Sequence, residues 1–306
     1  MTPDVVCLGI LVADVIARPF DELPPAGSLG FVETVSLHGG GCALNTASAL
    51  TRLGRTAAVA GKVGDDALGD FLLHLLDERG VERRGMIRDP SASTSATVVL
   101  VRGDGERTFL HAKGANAQLD ARELDSELLF SGRCLHIAGA LVLDALDGEP
   151  CAALLAEAKR RGLVTSLDTV WDASGRWERI LPCLPHVDVL APSLAEALAI
   201  SGERDVETAA AWLRRAGARE VVIKLGPDGC YVAGKGYVEP VHVEAVDGTG
   251  AGDAFVAGLL HGVLDEWPLD RSARLANAAG ALATTAVGAA DGVRNLRETL
   301  TLAGLE

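Results

Sequence analysis

The chain has 306 residues, of which 48% are hydrophobic and 23% are charged, a composition that allows a large buried core and argues against a disordered chain. The 42 acidic and 28 basic side chains give a formal net charge of −14. This charge repels phosphate backbones and argues against a nucleic-acid-binding protein.

The N-terminal segment and the cysteines point to a cytoplasmic protein. The first residues lack the basic start and apolar run of a secretory signal peptide. No uncharged apolar run reaches the roughly 18 residues that a membrane helix needs. The six cysteines include no C-x-x-C pair and no zinc-ligand spacing, so we expect buried, reduced thiols. We therefore predict a cytoplasmic protein with neither a nucleic-acid nor a membrane partner.

Short apolar runs alternate with amphipathic stretches along most of the chain. Runs rich in Val, Ile and Leu predict buried strands at residues 5–10, 57–61, 134–138, 164–168, 187–190 and 220–224. Helical spacing of apolar residues predicts helices at residues 43–53, 67–79, 150–161 and 206–216, and a high density of Ala, Gly and Leu predicts two more at 254–264 and 273–285. This alternation indicates a single α/β domain, residues 1–306, with a mostly parallel sheet between two helical layers.

Two segments interrupt the alternation. Residues 14–37 contain three of the twelve prolines and show little helical periodicity. Residues 94–110 predict a β-hairpin whose turn is G-D-G at residues 103–105. We expect these segments to form a small β appendage, which either decorates the fold or acts as a lid over a site.

Residues 247–253, D-G-T-G-A-G-D, form a glycine-rich turn between a predicted strand at 237–246 and the helix at 254–264. Amides at a helix N-terminus lack intrahelical partners and carry partial positive charge, and glycines let an anion approach them closely. The segment matches neither a P-loop nor a dinucleotide fingerprint. It therefore predicts a phosphate or oxyanion site. Asp253 either complements the helix dipole or accepts a proton from an attacking hydroxyl.

Several segments resemble the ribokinase-like (PfkB) carbohydrate kinases. Residues 247–255 resemble the C-terminal signature of that family, and residues 38–47, H-G-G-G-C-A-L-N-T-A, resemble its N-terminal signature. Residues 61–66 and 114–116 resemble further family segments, in family order. The resemblance implies a three-layer α/β/α fold with a small β lid, here about residues 14–37 and 94–110. It also implies ATP-dependent phosphorylation of a hydroxymethyl group of a sugar or sugar-like polyol.

The resemblance implies roles for the residues of the C-terminal signature. Asp253 would be the general base that deprotonates the acceptor hydroxyl. The backbone amides of Gly250, Ala251 and Gly252 would form the anion hole for the transferred phosphoryl group. Thr249 would approach the nucleotide phosphates.

Other matching positions imply a sugar site. The implied substrate-binding residues are Asp14, Gly39, Gly40, Gly41, Asn45 and Asp168. Taken alone, Asp14 is typical of a turn and Asn45 of an ordinary helix. Trp171, close after Asp168, either stacks on a sugar or covers the edge of the core.

The implied nucleotide-binding residues are Lys224, Gly226, Gly229, Thr249 and Asn277. The glycines at 226 and 229 equally fit a tight hairpin, and Asn277 equally fits a buried or capping role. Glu196 would reach the metal through water, as in the family pattern Asn-x-x-Glu, although Ser193 replaces the amide here. Ser193 and Glu196 also fit a capping box. We expect ATP with Mg²⁺, and a monovalent cation such as K⁺ is a further candidate.

Three other functions remain open at this stage. The first is a nucleoside kinase of the same family, for which the resemblance implies a larger and more aromatic lid, whereas this lid offers chiefly Phe20, Phe31 and Phe109. A phosphosugar kinase would need basic acceptor residues, for which the candidates are Arg107, Lys113 and Lys62. A catalytically silent sugar sensor is the third. A homodimer through the apolar lid residues Val99, Val101 and Phe109 is also open, and the sequence does not name the acceptor.

Overall fold

A computed structural model describes residues 2–20 and 22–306 of the chain. Within these residues the strands form one nine-stranded and one four-stranded sheet. In chain order the strands are β1 (Val5–Gly9), β2 (Val12–Arg18), β3 (Thr34–Gly40), β4 (Ala57–Gly64), β5 (Glu82–Asp89), β6 (Ala96–Val101), β7 (Arg107–Ala112), β8 (Cys134–Ala140), β9 (Val164–Thr169), β10 (Val189–Leu190), β11 (Glu220–Lys224), β12 (Cys230–Val232) and β13 (Gly236–Val238).

Helices occupy most of the remaining chain. The α-helices are α1 (Cys42–Arg52), α2 (Ala67–Glu78), α3 (Ser126–Leu129), α4 (Glu149–Arg160), α5 (Leu194–Ser201), α6 (Val206–Arg215), α7 (Ala251–Leu264), α8 (Leu269–Ala283) and α9 (Leu296–Leu302). Short 3₁₀ segments lie at Gly114–Gln118, Ala121–Glu123, Trp177–His186 and Gly226–Asp228. None of the helices among the described residues has the length and apolar character to cross a membrane.

The nine-stranded sheet has the order β13-β12-β11-β10-β9-β8-β1-β4-β5. Its strands from β11 to β5 pair in parallel, whereas β12 and β13 are antiparallel. The predicted mostly parallel sheet is therefore confirmed. Alternate residues of β1 explain the layers, because Val5 and Cys7 join one hydrophobic core and Val6 and Leu8 join the other. Helices α1, α2, α7 and α8 cover the first core, and α4, α5 and α6 cover the second.

The strand order reverses at β1, which lies between β8 and β4. In parallel α/β sheets, ligands bind at the carboxyl ends of the strands near such a reversal. The carboxyl ends of β9 and β11 carry Asp168 and Lys224. Ser193 follows β10 on the same edge, where it bridges to Lys224. This edge is the place to look for a site.

The four-stranded sheet has the order β3-β2-β6-β7 and comes from the two segments predicted as a β appendage. The strands extend beyond the predicted segments 14–37 and 94–110, to residues 40 and 112. Residues 22–33 contain neither strand nor helix. The register decides which side chains share a face. Val99, Val101 and Phe109 line a cavity together with Asp14, so they face inward. The exposed apolar side chains of the opposite face are Val35, Leu37, Val98 and Leu110.

Three sequence expectations differ from the structure. The strand predicted at 237–246 ends at Val238, since Pro240 has no amide to donate to a ladder. Strand β5 was missed because its sequence, E-R-R-G-M-I-R-D, is polar and belongs to a sheet edge. Of the six cysteines, all free as expected, Cys42 is only partly buried.

Candidate active site

The glycine-rich turn leads directly into α7. Its N-cap, Gly250, has a φ of 74°, and a Cβ at this position would collide with Ala289. Ala254 donates the first intrahelical hydrogen bond to the carbonyl of Gly250, at 2.9 Å. The Ala251 amide donates to the Gly248 carbonyl at 3.3 Å, a long contact. The amides of this first turn therefore lie ahead of the helical ladder, as an anion site requires.

Asp253 lies in the first turn of α7 and is only 8% exposed. Its Oδ2 accepts a hydrogen bond of 2.8 Å from Nδ2 of Asn45, on α1. Burial raises the pKa of Asp253, while this hydrogen bond and the ammonium of Lys224 oppose the rise. The Oδ1 atom of Asn45 is buried without a hydrogen-bond partner. The structure thus joins two predicted site residues, Asn45 and Asp253, by a direct contact.

Asp168 and Lys224 form a buried ion pair, with Oδ1 and Nζ 2.6 Å apart. Burial and repulsion from Glu196 raise the pKa of Asp168 to about 7, against the attraction of Lys224. Burial alone would lower the pKa of Lys224, but the carboxylates of Asp168 and Glu196 raise it. These two residues were predicted to bind different ligands, and the structure brings them together.

Glu196 belongs to a capping box at the start of α5. Its Oε2 accepts hydrogen bonds from the Ser193 amide and from Oγ1 of Thr169, both at 2.8 Å. The Ser193 hydroxyl accepts one from the Glu196 amide in return. The capping interpretation is therefore correct, and it leaves the metal role of Glu196 a prediction. Across residues 2–20 and 22–306, no three His, Cys, Asp or Glu side chains group in a way that could hold a metal ion.

A cavity of about 420 Å³, here called the helix cavity, lies between α7, α8 and the turn at 226–229. Lys224, Gly226, Gly229 and Asn277 line it, together with Ala251 and Gly252 of the glycine-rich turn. Asn277 also connects α8 to the end of β13, because its Nδ2 donates hydrogen bonds to the carbonyls of Val238 and Glu239. The 226–229 turn joins the antiparallel strands β11 and β12, so it is a hairpin as well as a cavity wall.

A second cavity of about 380 Å³, the sheet cavity, lies under the four-stranded sheet. Asp14 and Gly39 line it, and Gly40 lies so close to Oδ2 of Asp14 that a Cβ there would collide. Gly41 follows as the N-cap of α1. Burial raises the pKa of Asp14, although a hydrogen bond from Thr97 opposes this. The N-terminal signature therefore runs from the sheet cavity to the helix that carries Asn45.

The four-stranded sheet contacts the glycine-rich turn, which no sequence pattern had indicated. Arg107 on β7 lies 3.0 Å from Oδ1 of Asp247 and 3.1 Å from Oγ1 of Thr249. Burial acts to raise the pKa of Asp247, but hydrogen bonds from Thr249 and Arg107 hold it low. Thr249 lines the sheet cavity, although it was predicted on the nucleotide side. The Asp-x-Thr spacing is typical of an Asx turn and could have identified Asp247.

The other two basic residues considered for a phosphosugar, Lys62 and Lys113, form ion pairs away from the sheet cavity. Lys62 is buried against Asp89 and Glu123, and Lys113 pairs with Asp144. Neither lines the sheet cavity.

Residues 2–296 match the model of the pfkB family of carbohydrate kinases. Fructokinase-1 of Zea mays is 34% identical over 286 residues, which cover 86% of this chain and 87% of the relative. The protein named probable fructokinase-4 of Arabidopsis thaliana is also 34% identical, over 273 residues and 82% of each chain. A solved structure named ribokinase II of E. coli, in complex with ATP and Mg²⁺, is 26% identical with a TM-score of 0.85 and covers 99% of this chain and 100% of its own. The predicted ribokinase-type α/β fold is thereby confirmed, and the chain belongs to the pfkB family of carbohydrate kinases.

Proposed function

We propose that this carbohydrate kinase transfers the γ-phosphoryl group of ATP to a hydroxymethyl group of a neutral sugar or polyol, with Asp253 as the general base. The observation that carries the proposal is the position of the glycine-rich turn between two cavities. Its residues Gly248, Ala251 and Gly252 line the helix cavity, and Asp247 and Thr249 line the sheet cavity. A nucleotide and an acceptor can therefore meet at the turn that carries Asp253.

The first turn of α7 supplies both parts of the chemistry. A buried carboxylate with a raised pKa is a stronger base, and Asp253 has this environment. The amides of Gly250, Ala251 and Gly252 would stabilise negative charge on the transferred group. Because the Ala251 amide contacts the Gly248 carbonyl at only 3.3 Å, an incoming anion could compete for it.

The helix cavity fits a nucleotide. Its volume is within the usual range of ligand pockets, and its mostly apolar lining, which includes Phe255, also contains Lys224 and the first-turn residues Ala251 and Gly252. Because the described carboxylates do not group into a metal site of their own, Mg²⁺ would arrive with the nucleotide phosphates, and Glu196 is the buried carboxylate proposed to face it. When bound, Mg²⁺ offsets phosphate charge during transfer. Dependence on a monovalent cation such as K⁺ stays a prediction.

The sheet cavity supports a neutral sugar as acceptor. Asp14 and Thr97 offer hydrogen-bonding groups there, whereas Phe109 is the aromatic residue among its lining. A phosphosugar would need a free cation. Arg107 is paired with Asp247, but Arg18 also lines the cavity and forms no ion pair within the described residues, so a phosphosugar is the second candidate acceptor. The names of the curated relatives make fructose the first sugar to test.

The four-stranded sheet is proposed to act as a lid. It forms one wall of the sheet cavity and contacts the glycine-rich turn through Arg107. Closure over the acceptor would exclude water, which otherwise competes for the phosphoryl group. The outer face, with Val35 and Leu110 more than half exposed, is the surface through which two lids would pair in a homodimer.

A panel of acceptors tests the function. Purified protein is incubated with ATP and Mg²⁺ plus a neutral ketose, aldose, polyol, phosphosugar or nucleoside, and ADP release is followed. Phosphorus NMR then identifies a new phosphate ester. We expect turnover with at least one neutral sugar and little ATP hydrolysis without it. Turnover restricted to nucleosides or phosphosugars would replace the proposed acceptor, and ADP release that ignores every acceptor would refute the proposed transfer.

A further inference from the structure

The buried pair of Lys224 and Asp168 borders the helix cavity through the lysine. Lys224 lines that cavity, whereas Asp168 lines neither cavity and is only 2% exposed. The amide of Thr169 donates to the same Oδ1 that accepts from Lys224, at 3.0 Å, so the carboxylate is held from two directions. Asp168 is therefore better placed to hold the lysine than to reach an acceptor in the sheet cavity.

The ammonium of Lys224 lies beside the first turn of α7. A Cβ built on Gly252 would be 3.3 Å from Nζ. The amides of this turn carry the partial positive charge of the helix N-terminus, and Lys224 adds a full positive charge at the same place. An anion held by the turn would therefore contact both.

The ion pair with Asp168 leaves hydrogen-bond donors of the Lys224 ammonium available. An ammonium has three N–H donors, and Asp168 accepts from one of them. The remaining donors can bind a phosphate oxygen while the pair stays intact. The carboxylate also limits the rotation of a flexible four-carbon side chain, which otherwise samples many rotamers.

We propose that Lys224 is a further catalytic residue, whose ammonium contacts the phosphoryl group during transfer, and that Asp168 is the positioning residue that holds it and not a ligand of the sugar. This inference rests on the proposed function. In the transfer, the acceptor oxygen forms a bond to the γ-phosphorus and the bond from that phosphorus to the β–γ bridging oxygen breaks. The hydroxyl proton passes to Asp253, and ADP leaves with the electron pair of the broken bond. Lys224 stabilises the charge that develops in this step.

The first test compares a ground-state ligand with a mimic of the transition state. Lys224→Met keeps the length of the side chain and removes its charge. We expect kcat to fall roughly 10²- to 10³-fold, as for the loss of one electrostatic donor. Affinity for ADP with aluminium fluoride, sugar and Mg²⁺ should fall by a similar factor, while affinity for ADP alone changes less than about threefold. Equal losses for both ligands would overturn the catalytic assignment.

The second test separates positioning from sugar binding. Asp168→Asn should lower kcat roughly 10-fold or more and leave the sugar KM within about threefold. In the double variant, Asp168→Asn should add almost nothing to the loss caused by Lys224→Met, since it acts through that residue. A raised sugar KM in Asp168→Asn, or losses that multiply in the double variant, would overturn the positioning role.

Controls keep the outcome decisive. Lys235→Met removes a lysine that pairs with Asp270 at the surface, and its kinetics should match the parent. If Lys224→Met does not fold because it leaves a buried unpaired carboxylate, the double variant removes both charges and carries the same kcat prediction. If neither folds, the split between kcat and sugar KM in Asp168→Asn decides. A parent protein that phosphorylates no sugar would refute the proposed function, whereas an active parent with Lys224→Met within threefold would refute this inference alone.

Discussion

The two cavities on either side of the glycine-rich turn are built from different parts of the molecule. The walls of the helix cavity are α7, α8 and the β11–β12 turn of the main body, together with the irregular segment 240–245 that follows β13. One wall of the sheet cavity is the separate four-stranded sheet. Helix α7 is buried along most of its length, whereas every residue of β7 is exposed.

Under the proposed function, this difference assigns the phosphoryl transfer to the region around α7 and the selection of the acceptor to the four-stranded sheet. Reacting groups need fixed geometry, and a buried helix in a packed core provides it. An exposed sheet with few buried contacts opens at low free-energy cost and tolerates changes that alter which acceptor fits. We therefore expect substitutions near α7 to lower kcat, and substitutions in the four-stranded sheet to change the sugar KM.

Asp253→Asn should produce the largest effect. Asparagine keeps the size of aspartate and an oxygen that can accept the hydrogen bond from Asn45, but it cannot accept the proton of the acceptor hydroxyl. If Asp253 is the base, kcat should fall by about 10²- to 10⁴-fold, equivalent to roughly 3–5 kcal/mol of barrier, while ATP affinity changes little. Steady-state kinetics with the best sugar of the panel measure both.

Asp270→Asn is the matched control, because Asp270 is also a first-turn carboxylate, on α8, but lies at the surface against Lys235. It should cost only a few tenths of a kcal/mol of helix stability. A folded Asp253→Asn protein with kcat within tenfold of the parent would disprove the base assignment.

The fold and the glycine-rich turn before α7 could be predicted because their signals are local. Consecutive apolar residues of β1 pack alternately into the two hydrophobic cores, which is the pattern of a strand buried on both faces. Residues 247–253 carry the proposed anion site and Asp253 within seven positions. A contact within one segment depends on the chain order alone, so no knowledge of the tertiary packing was needed.

Asp14→Ala tests the acceptor side of the comparison. A sugar hydroxyl left without its buried partner costs about 1–3 kcal/mol, which is roughly 5- to 150-fold in kcat/KM for the sugar. The KM for ATP should hardly change, since Asp14 lines only the sheet cavity of the two. An unchanged sugar kcat/KM would remove Asp14 from the acceptor site.

Arg107→Met should have a smaller effect on the same side. The variant removes the contacts with Asp247 and Thr249 that hold β7 against the glycine-rich turn. A charge-assisted pair that is about one-third exposed is worth about 1–2 kcal/mol after screening, so the sugar KM should rise roughly 5- to 30-fold. Steady-state kinetics at low and high salt measure the sugar KM of the variant and of the parent. High salt screens the ion pair, so it should reduce the difference between the two KM values.

Arg84→Met is the control for this change, since Arg84 forms an exposed ion pair with Glu82 on the edge strand β5. If Arg107→Met lowers kcat and leaves the sugar KM unchanged, the four-stranded sheet does not govern acceptor binding.

The contacts that the sequence did not reveal join distant segments. Arg107 and Thr249 are 142 positions apart, and Asp168 and Lys224 are 56 apart. Each of these residues has an ordinary local role, in a hairpin or at a strand end, and only the packing of the sheets brings the partners together. The inward or outward direction of Val99 depends on strand register in the same way, because a shift of one residue reverses it.

Glu196→Gln tests whether the carboxyl edge of the main sheet also serves the metal. Glutamine can keep the capping box with Ser193, so the free energy of unfolding should change little. If Glu196 contacts Mg²⁺ through water, the Mg²⁺ concentration for half-maximal activity should rise about threefold to tenfold. The control is Glu298→Gln, because Glu298 lies three residues after the N-cap of α9, as Glu196 does in α5. It should leave the Mg²⁺ requirement unchanged. An unchanged Mg²⁺ requirement would leave Glu196 with its capping role alone.

Asn45→Leu gives the smallest effect at neutral pH and tests where the two regions meet. The hydrogen bond from Asn45 stabilises the ionised form of Asp253, so its removal should raise the pKa of that carboxyl further. A protonated carboxyl cannot accept the hydroxyl proton, so activity increases with pH through this pKa. The acidic limb of the kcat profile should therefore move to higher pH, by roughly one to two units for a charge-assisted hydrogen bond.

The alternative role of Asn45, as a ligand of sugar hydroxyls, predicts a different pattern. The sugar KM would then rise at every pH, and the acidic limb of kcat would stay in place. Ser48→Ala removes a buried hydroxyl of the same helix that bonds to Leu44 and Arg79, so it controls for damage to α1. A shifted limb with an unchanged sugar KM assigns Asn45 to the base. A raised KM with an unmoved limb assigns it to the acceptor, because Asp253 would then keep its pKa without the amide.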